Sequence, residues 1–268
     1  MDKKLNIYDF SIEFISPLYL KEKQFFKEKS VHPALQDASI ETIDSPDKNW
    51  DIKSRLVGKY FANEENYTKI GKEIVNIILG LLGFHVSSGI SFEQISIGRK
   101  DDTSIIVTNQ NWKKGKITVS NIVSDDIKLD REDRIAIDWI GKGLSSIRPD
   151  DKFVAFYSAI ESIIPADSRK ATDVCPECKR PFPTASVKNF LMKTFSFSPK
   201  DAEKIIDTRG GILHGRISVF KEADNLEELS DKLLSSLREF YNSKFSLRIE
   251  KPDYSLGGEI RIFTKPVE

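Results

Sequence analysis

The spacing of apolar residues changes period part-way along the chain, and that change constrains the fold more than any other feature. Between Leu5 and Ile15 apolar and polar residues roughly alternate, with Ile7, Phe10, Ile12 and Phe14 prominent. A two-residue period is that of a half-buried strand. From about Asp126 the apolar steps become three and four residues, the period of a helix that buries one face. The chain therefore predicts an α+β region over residues 1–125 and an all-α helical bundle over 126–248. A tail over 249–268 follows, in which Glu259 to Thr264 suits a small strand.

Local signals fill in this outline. Gln24 to Trp50 is polar, carries Pro33 and Pro46, and reads as loop-rich. Tyr67 to Phe84 reads as a helix through Ile70, Ile74, Ile77, Ile78 and Leu81, with Gly83 helping to end it. Ile95 to Ile97 and Ser104 to Thr108 suit strands, and Lys116 to Val119 suits a strand pairing back across an Asn109-Gln110-Asn111 turn. Arg131 to Ile147 places Ile135, Trp139, Ile140, Leu144 and Ile147 on one stripe. Pro149 starts a helix that ends before Pro165, and residues 166–183 read as a loop with three prolines. Two short helices, Thr184 to Thr194 and Pro199 to Thr208, come next, the second capped by Ser198. Gly210-Gly211 is expected to interrupt, before a long helix over Asp224 to Phe245.

Charge excludes one class of partner surface. With 41 basic and 41 acidic residues the net charge is zero, so no uniform basic coat exists. A local patch does: between Lys179 and Lys221 there are nine basic residues against Asp201, Glu203 and Asp207. Lys204 and Arg216 belong to it and are candidates for binding a phosphate backbone. No apolar run approaches the roughly 20 residues of a membrane span, and no apolar h-region follows Met1-Asp2-Lys3-Lys4. The expected setting is soluble and cytoplasmic, without a membrane.

Arg209 and His214 carry the chemistry that stands out. Arginine offers a permanent charge and a flat fork of donors that matches phosphate. Histidine moves a proton near neutral pH. Cleavage of an RNA backbone by its own 2′-hydroxyl needs those two functions and requires no metal in principle. On a straight helix, however, five residues turn the chain through about 500°, which leaves the two side chains about 140° apart. A bend at Gly210-Gly211, or a second copy of the chain, has to bring them together.

The order of motifs resembles a known family. Asp151-Lys152-Phe153-Val154-Ala155-Phe156-Tyr157-Ser158-Ala159-Ile160-Glu161-Ser162-Ile163 forms an early helix. A Cys-containing loop, then Arg209-Gly210-Gly211-Ile212-Leu213-His214-Gly215, then a long closing helix come after it. This arrangement, over roughly residues 130–247, resembles the HEPN superfamily and most of all its Apea-like branch. The resemblance implies a metal-independent endoribonuclease acting as a homodimer, in a bacterial defence or toxin–antitoxin setting, beside an antitoxin or another defence subunit. It implies that Arg209 stabilises the phosphate, that His214 is the acid/base, and that Glu161 supports them; Asp207, in the same stretch, is a further supporting candidate. Where the family often has a polar residue after the arginine, this chain has Gly210. That departure favours an alternative, a non-catalytic subunit that binds RNA or nucleotide.

Cys175-Pro176-Glu177-Cys178 has the spacing of half a zinc knuckle. Three readings stand: two protomers share a four-cysteine structural zinc, a distant His or Asp completes the site, or the pair holds no metal.

Overall fold

Eleven consecutive residues, Asn6–Ser16, form β1, and its partner β5 (Ile52–Ala62) is as long and runs antiparallel, Asn6 opposite Ala62 and Ser16 opposite Ile52. The computed structural model describes residues 5–16, 18–43, 52–86, 96–97, 117–119, 127–146, 148–165, 173–174, 179, 181–182, 184–218 and 221–245. Ser104 to Thr108, the turn at 109–111, Cys175, Cys178 and the tail over 249–268 lie outside the described residues.

Within the described residues β1 and β5 centre an antiparallel sheet of order β3-β4-β5-β1-β6, completed by β3 (Gln24–Phe26), β4 (Leu35–Thr42) and the two-residue β6 (Ser96–Ile97). β2 (Leu18–Leu20) pairs in parallel with β7 (Ile117–Val119), the pairing described for the strand that the sequence suggested would fold back as a hairpin. The expected loop over Gln24 to Trp50 is corrected, because it holds β3 and β4. β5 went unread for a physical reason. Its inward residues are Ile52, Ser54, Leu56, Gly58, Tyr60 and Ala62, so two of six inward positions carry no apolar side chain. Gly58 is required there, since a Cβ would stand 2.5 Å from the Phe10 ring on β1. On the other face Glu13 accepts from Arg55 Nη2 at 2.7 Å and pairs with Lys53 Nζ at 2.5 Å, so its carboxyl is held below the usual range by these two cations.

Six helices lie within the described residues: α1 (Tyr67–Val86), α2 (Arg131–Ser145), α3 (Pro149–Ile163), α4 (Thr184–Thr194), α5 (Pro199–Leu213) and α6 (Ala223–Phe245). None of them is long and apolar enough to cross a membrane. α1 continues past Gly83 to Val86, so that glycine does not end it. α1 and α2 approach so closely that a Cβ at Gly80 would lie 2.8 Å from the Ile137 carbonyl oxygen, and one at Gly141 would lie 3.4 Å from Gly80 Cα. Sheet and helices share one continuous apolar core, from Phe10 and Ile12 through Ile78 and Ile137 to Leu233 and Tyr241.

α2 buries Ile140 and Leu144 as its spacing suggested and packs Trp139 partly against the core, but the stripe is shifted at its start. Ala136, Ile137, Ile140 and Leu144 are inside, whereas Ile135 is 41% exposed at the edge of that face. A charged residue, Asp133, takes a buried place, closing a capping box with Asp130. Its carboxylate receives Lys244 Nζ from the end of α6 at 2.6 and 2.7 Å. Burial pushes the Asp133 carboxyl up, and the lysine opposes that shift. This pair ties the start of α2 to the end of the last helix across 111 residues.

Candidate functional site

Ser198 begins α5: its Oγ accepts from the Asp201 N–H at 3.1 Å, and Pro199 occupies the first helical position, where its missing N–H costs nothing. The helix then runs through Gly210 and Gly211 to Leu213, so the expected interruption after Thr208 is corrected. Gly211 is buried where a Cβ would stand 2.6 Å from the Ile217 side chain. Gly211 thus serves packing, and the helix stop lies at Gly215.

That stop has a Schellman geometry. Gly215 has φ +65°, its N–H donates to the Ile212 carbonyl at 3.1 Å, and the Arg216 N–H donates to the Gly211 carbonyl at 2.8 Å. His214 is the C-cap, with φ −99° and ψ 9° and its N–H donating to the Gly210 carbonyl at 3.1 Å. These near-helical angles leave His214 about 140° around the axis from Arg209, as on an unbroken helix. On one chain the two side chains therefore leave the helix in different directions.

Arg209 reaches α3. Its Nη2 lies 3.5 Å from Glu161 Oε2, and its guanidinium carbon stands 5.4 Å from the centroid of the Tyr157 ring. Tyr157 and Glu161 are four residues apart, so they share one face of α3. Arg209 and Glu161 are each 27% exposed, so the ion pair borders solvent and is worth at most about 1 kcal/mol. A phosphate can displace such a carboxylate. Tyr157 is buried, and its hydroxyl has no hydrogen-bond partner among the described residues. Burial, and then the Glu161 charge, push the tyrosine's ionisation well above its ordinary range, while Arg209 opposes them. The hydroxyl stays protonated and the ring remains a neutral platform for the cation.

The other sequence candidates are more dispersed. His214 is half-buried at the helix end. Asp207 is exposed two residues before Arg209, about 200° around the helix, and Lys204 is exposed five residues before it. Arg216 is exposed beyond the Schellman turn, and its Nη2 is 4.0 Å from where a Cβ on Gly210 would be. Part of the basic excess is paired, Lys188 with Glu203 at 3.5 Å. Tyr157 is a site residue that the sequence named only as part of the early helix; its four-residue step to Glu161 was the available signal. Among the described residues no group of three or more His, Cys, Asp or Glu side chains is placed to hold a metal.

Protein-family models, curated proteins and solved structures were each compared with the chain, and none matches it.

Proposed function

We propose that this chain is an endoribonuclease of HEPN type, of the Apea-like branch, working as a homodimer in a bacterial defence or toxin-type system. The observation that carries the reading is Arg209, held at the solvent border by Glu161 and the Tyr157 ring, five residues before a histidine at the same helix end. Arg209 leaves Glu161 for the phosphate and stabilises its developing charge. His214 handles protons. The ribose 2′-oxygen forms a bond to phosphorus while the bond to the 5′-oxygen breaks. The 2′-hydroxyl proton goes to one histidine, and the 5′-oxygen takes a proton from another. The products are a 2′,3′-cyclic phosphate and a 5′-hydroxyl, and no water is consumed. Because one chain keeps Arg209 and His214 on different sides of α5, the second protomer supplies the complementary pair. An antitoxin or companion subunit restrains the activity, and the Cys175/Cys178 pair serves structure, with zinc where a full ligand set exists.

The test is cleavage of RNA by purified protein and by His214→Ala. Cleavage by the native chain alone is expected; equal cleavage by both would end the catalytic assignment.

A second reading rests on Gly210, where the side chain next to Arg209 is missing and the Arg216 guanidinium stands close by. A second guanidinium near Arg209, with no polar side chain at position 210 between them, suits RNA binding without cleavage. Salt-sensitive binding that needs Arg209, with no product on long incubation, would favour this reading.

A further inference from the structure

A second candidate site lies away from α5, between the N-terminal halves of α1 and α2. The helices touch at Gly80 and Gly141 and leave an open groove of about 830 Å³ nearer their starts. That volume is within the range of small-molecule and cofactor sites, about 300–1,000 Å³. Lys69 and Lys72 stand on the α1 wall, Arg131 and Arg134 on the α2 wall. Each pair is three residues apart, so two rows of cations face one another.

Counting charges alone would miss the sign of this groove, because Glu65, Glu73 and Asp138 also line it. Two of these three carboxylates have partners outside the cation rows. Glu73 Oε1 lies 3.5 Å from Nε2 of the buried His32, Asp138 Oδ2 receives Lys142 Nζ at 2.6 Å, and Glu65 makes an interaction of its own. Lys69, Lys72 and Arg131 have no ion-pair partner among the described residues. Arg134 is fixed by donating from Nη1 to the Leu129 carbonyl at 3.0 Å. The neighbouring Ile135, 41% exposed, supplies apolar surface in the same groove.

We infer that the α1–α2 groove binds a nucleotide carrying two or more phosphates, its phosphates between the two cation rows and its base against Ile135. Fixed guanidinium and mobile ammonium groups are what such a phosphate chain requires. The site involves neither Arg209 nor His214, so it is independent of the ribonuclease reading.

The experiment is calorimetric titration of the full chain with ATP and with inorganic tripolyphosphate, at low and high salt. ATP is expected to bind, more weakly at high salt. Lys69→Ser with Lys72→Ser, and separately Arg131→Ser, should each weaken it roughly tenfold, the equivalent of one lost charge-assisted contact. These residues are exposed or at the groove edge, so circular dichroism should be unchanged. Lys72→Arg should retain binding, and so should His214→Ala. No ATP binding, or binding indifferent to the three serine substitutions, would overturn the inference. Equal binding of tripolyphosphate would overturn the nucleotide assignment, and so would a ribonucleotide oligomer that binds the groove more tightly than ATP with the same sensitivity.

Discussion

Lys244→Met removes the cation that compensates a buried carboxylate while keeping the aliphatic stem. Asp133 is 1% exposed, and both of its oxygens lie within 2.7 Å of Lys244 Nζ. Removing one partner of a buried pair costs about 3–5 kcal/mol, because the remaining charge is left desolvated. Two features place this case at the low end. Lys244 is 35% exposed, so water can approach the vacated position, and Asp133 still accepts from the Asp130 N–H at 3.2 Å. A loss of about 3 kcal/mol is expected, which lowers Tm by roughly 6–12 °C for a chain of this size.

The pH dependence gives a second readout. Burial already raises the Asp133 carboxyl, and without Lys244 it rises further. A carboxyl raised in the folded state binds its proton more tightly there than in the unfolded chain. Stability therefore falls as pH rises through the folded value and recovers as pH falls. The gap between native protein and variant should narrow on going from neutral to mildly acidic solution, as followed by scanning calorimetry. Adding Asp133→Asn to Lys244→Met should recover part of the loss, since a neutral amide replaces the stranded charge. A loss under about 1 kcal/mol would mean an exposed, weak pair. That result, or a gap that widens in acid, would refute the reasoning.

Two further outcomes concern α5. Gly215→Ala should cost about 1 kcal/mol in thermal melts, because φ is +65° and nothing lies within 4 Å of the new Cβ, so the cost is one of backbone conformation alone; Gly215→Asn should cost less, and identical melts would reject the cap. Arg209→Lys keeps the charge but loses the donor fork that sits over the Tyr157 ring; RNA cleavage should fall roughly tenfold with secondary structure unchanged, and full activity would remove the need for a guanidinium.

The helical half was largely legible in the sequence. Helix limits at Arg131, Pro149, Thr184 and Phe245 agree with apolar spacing and with breakers such as Pro165. In the five-stranded sheet β1 and β6 were legible, as was β7 in the small parallel pair, whereas β3, β4 and β5 were not. β5 was hidden because Ser54 and Gly58 occupy inward places, the glycine one that only cross-strand contact with Phe10 justifies. Gly210-Gly211 misled for a related reason. A glycine weakens a helix locally, yet here Gly211 admits Ile217, and the helix persists.

By itself the sequence determined what depends on neighbours two to five residues away: the change of period, the Ser198 cap, and the five-residue step between Arg209 and His214. Residue identity fixes those relations through backbone geometry. Only the tertiary structure decided that Arg209 rests on Tyr157 and Glu161, that Asp133 meets Lys244 across 111 residues, and that two of the groove's carboxylates are paired while three of its cations have no ion-pair partner among the described residues. Those outcomes follow from which faces are buried together, and burial is a property of the whole packed chain.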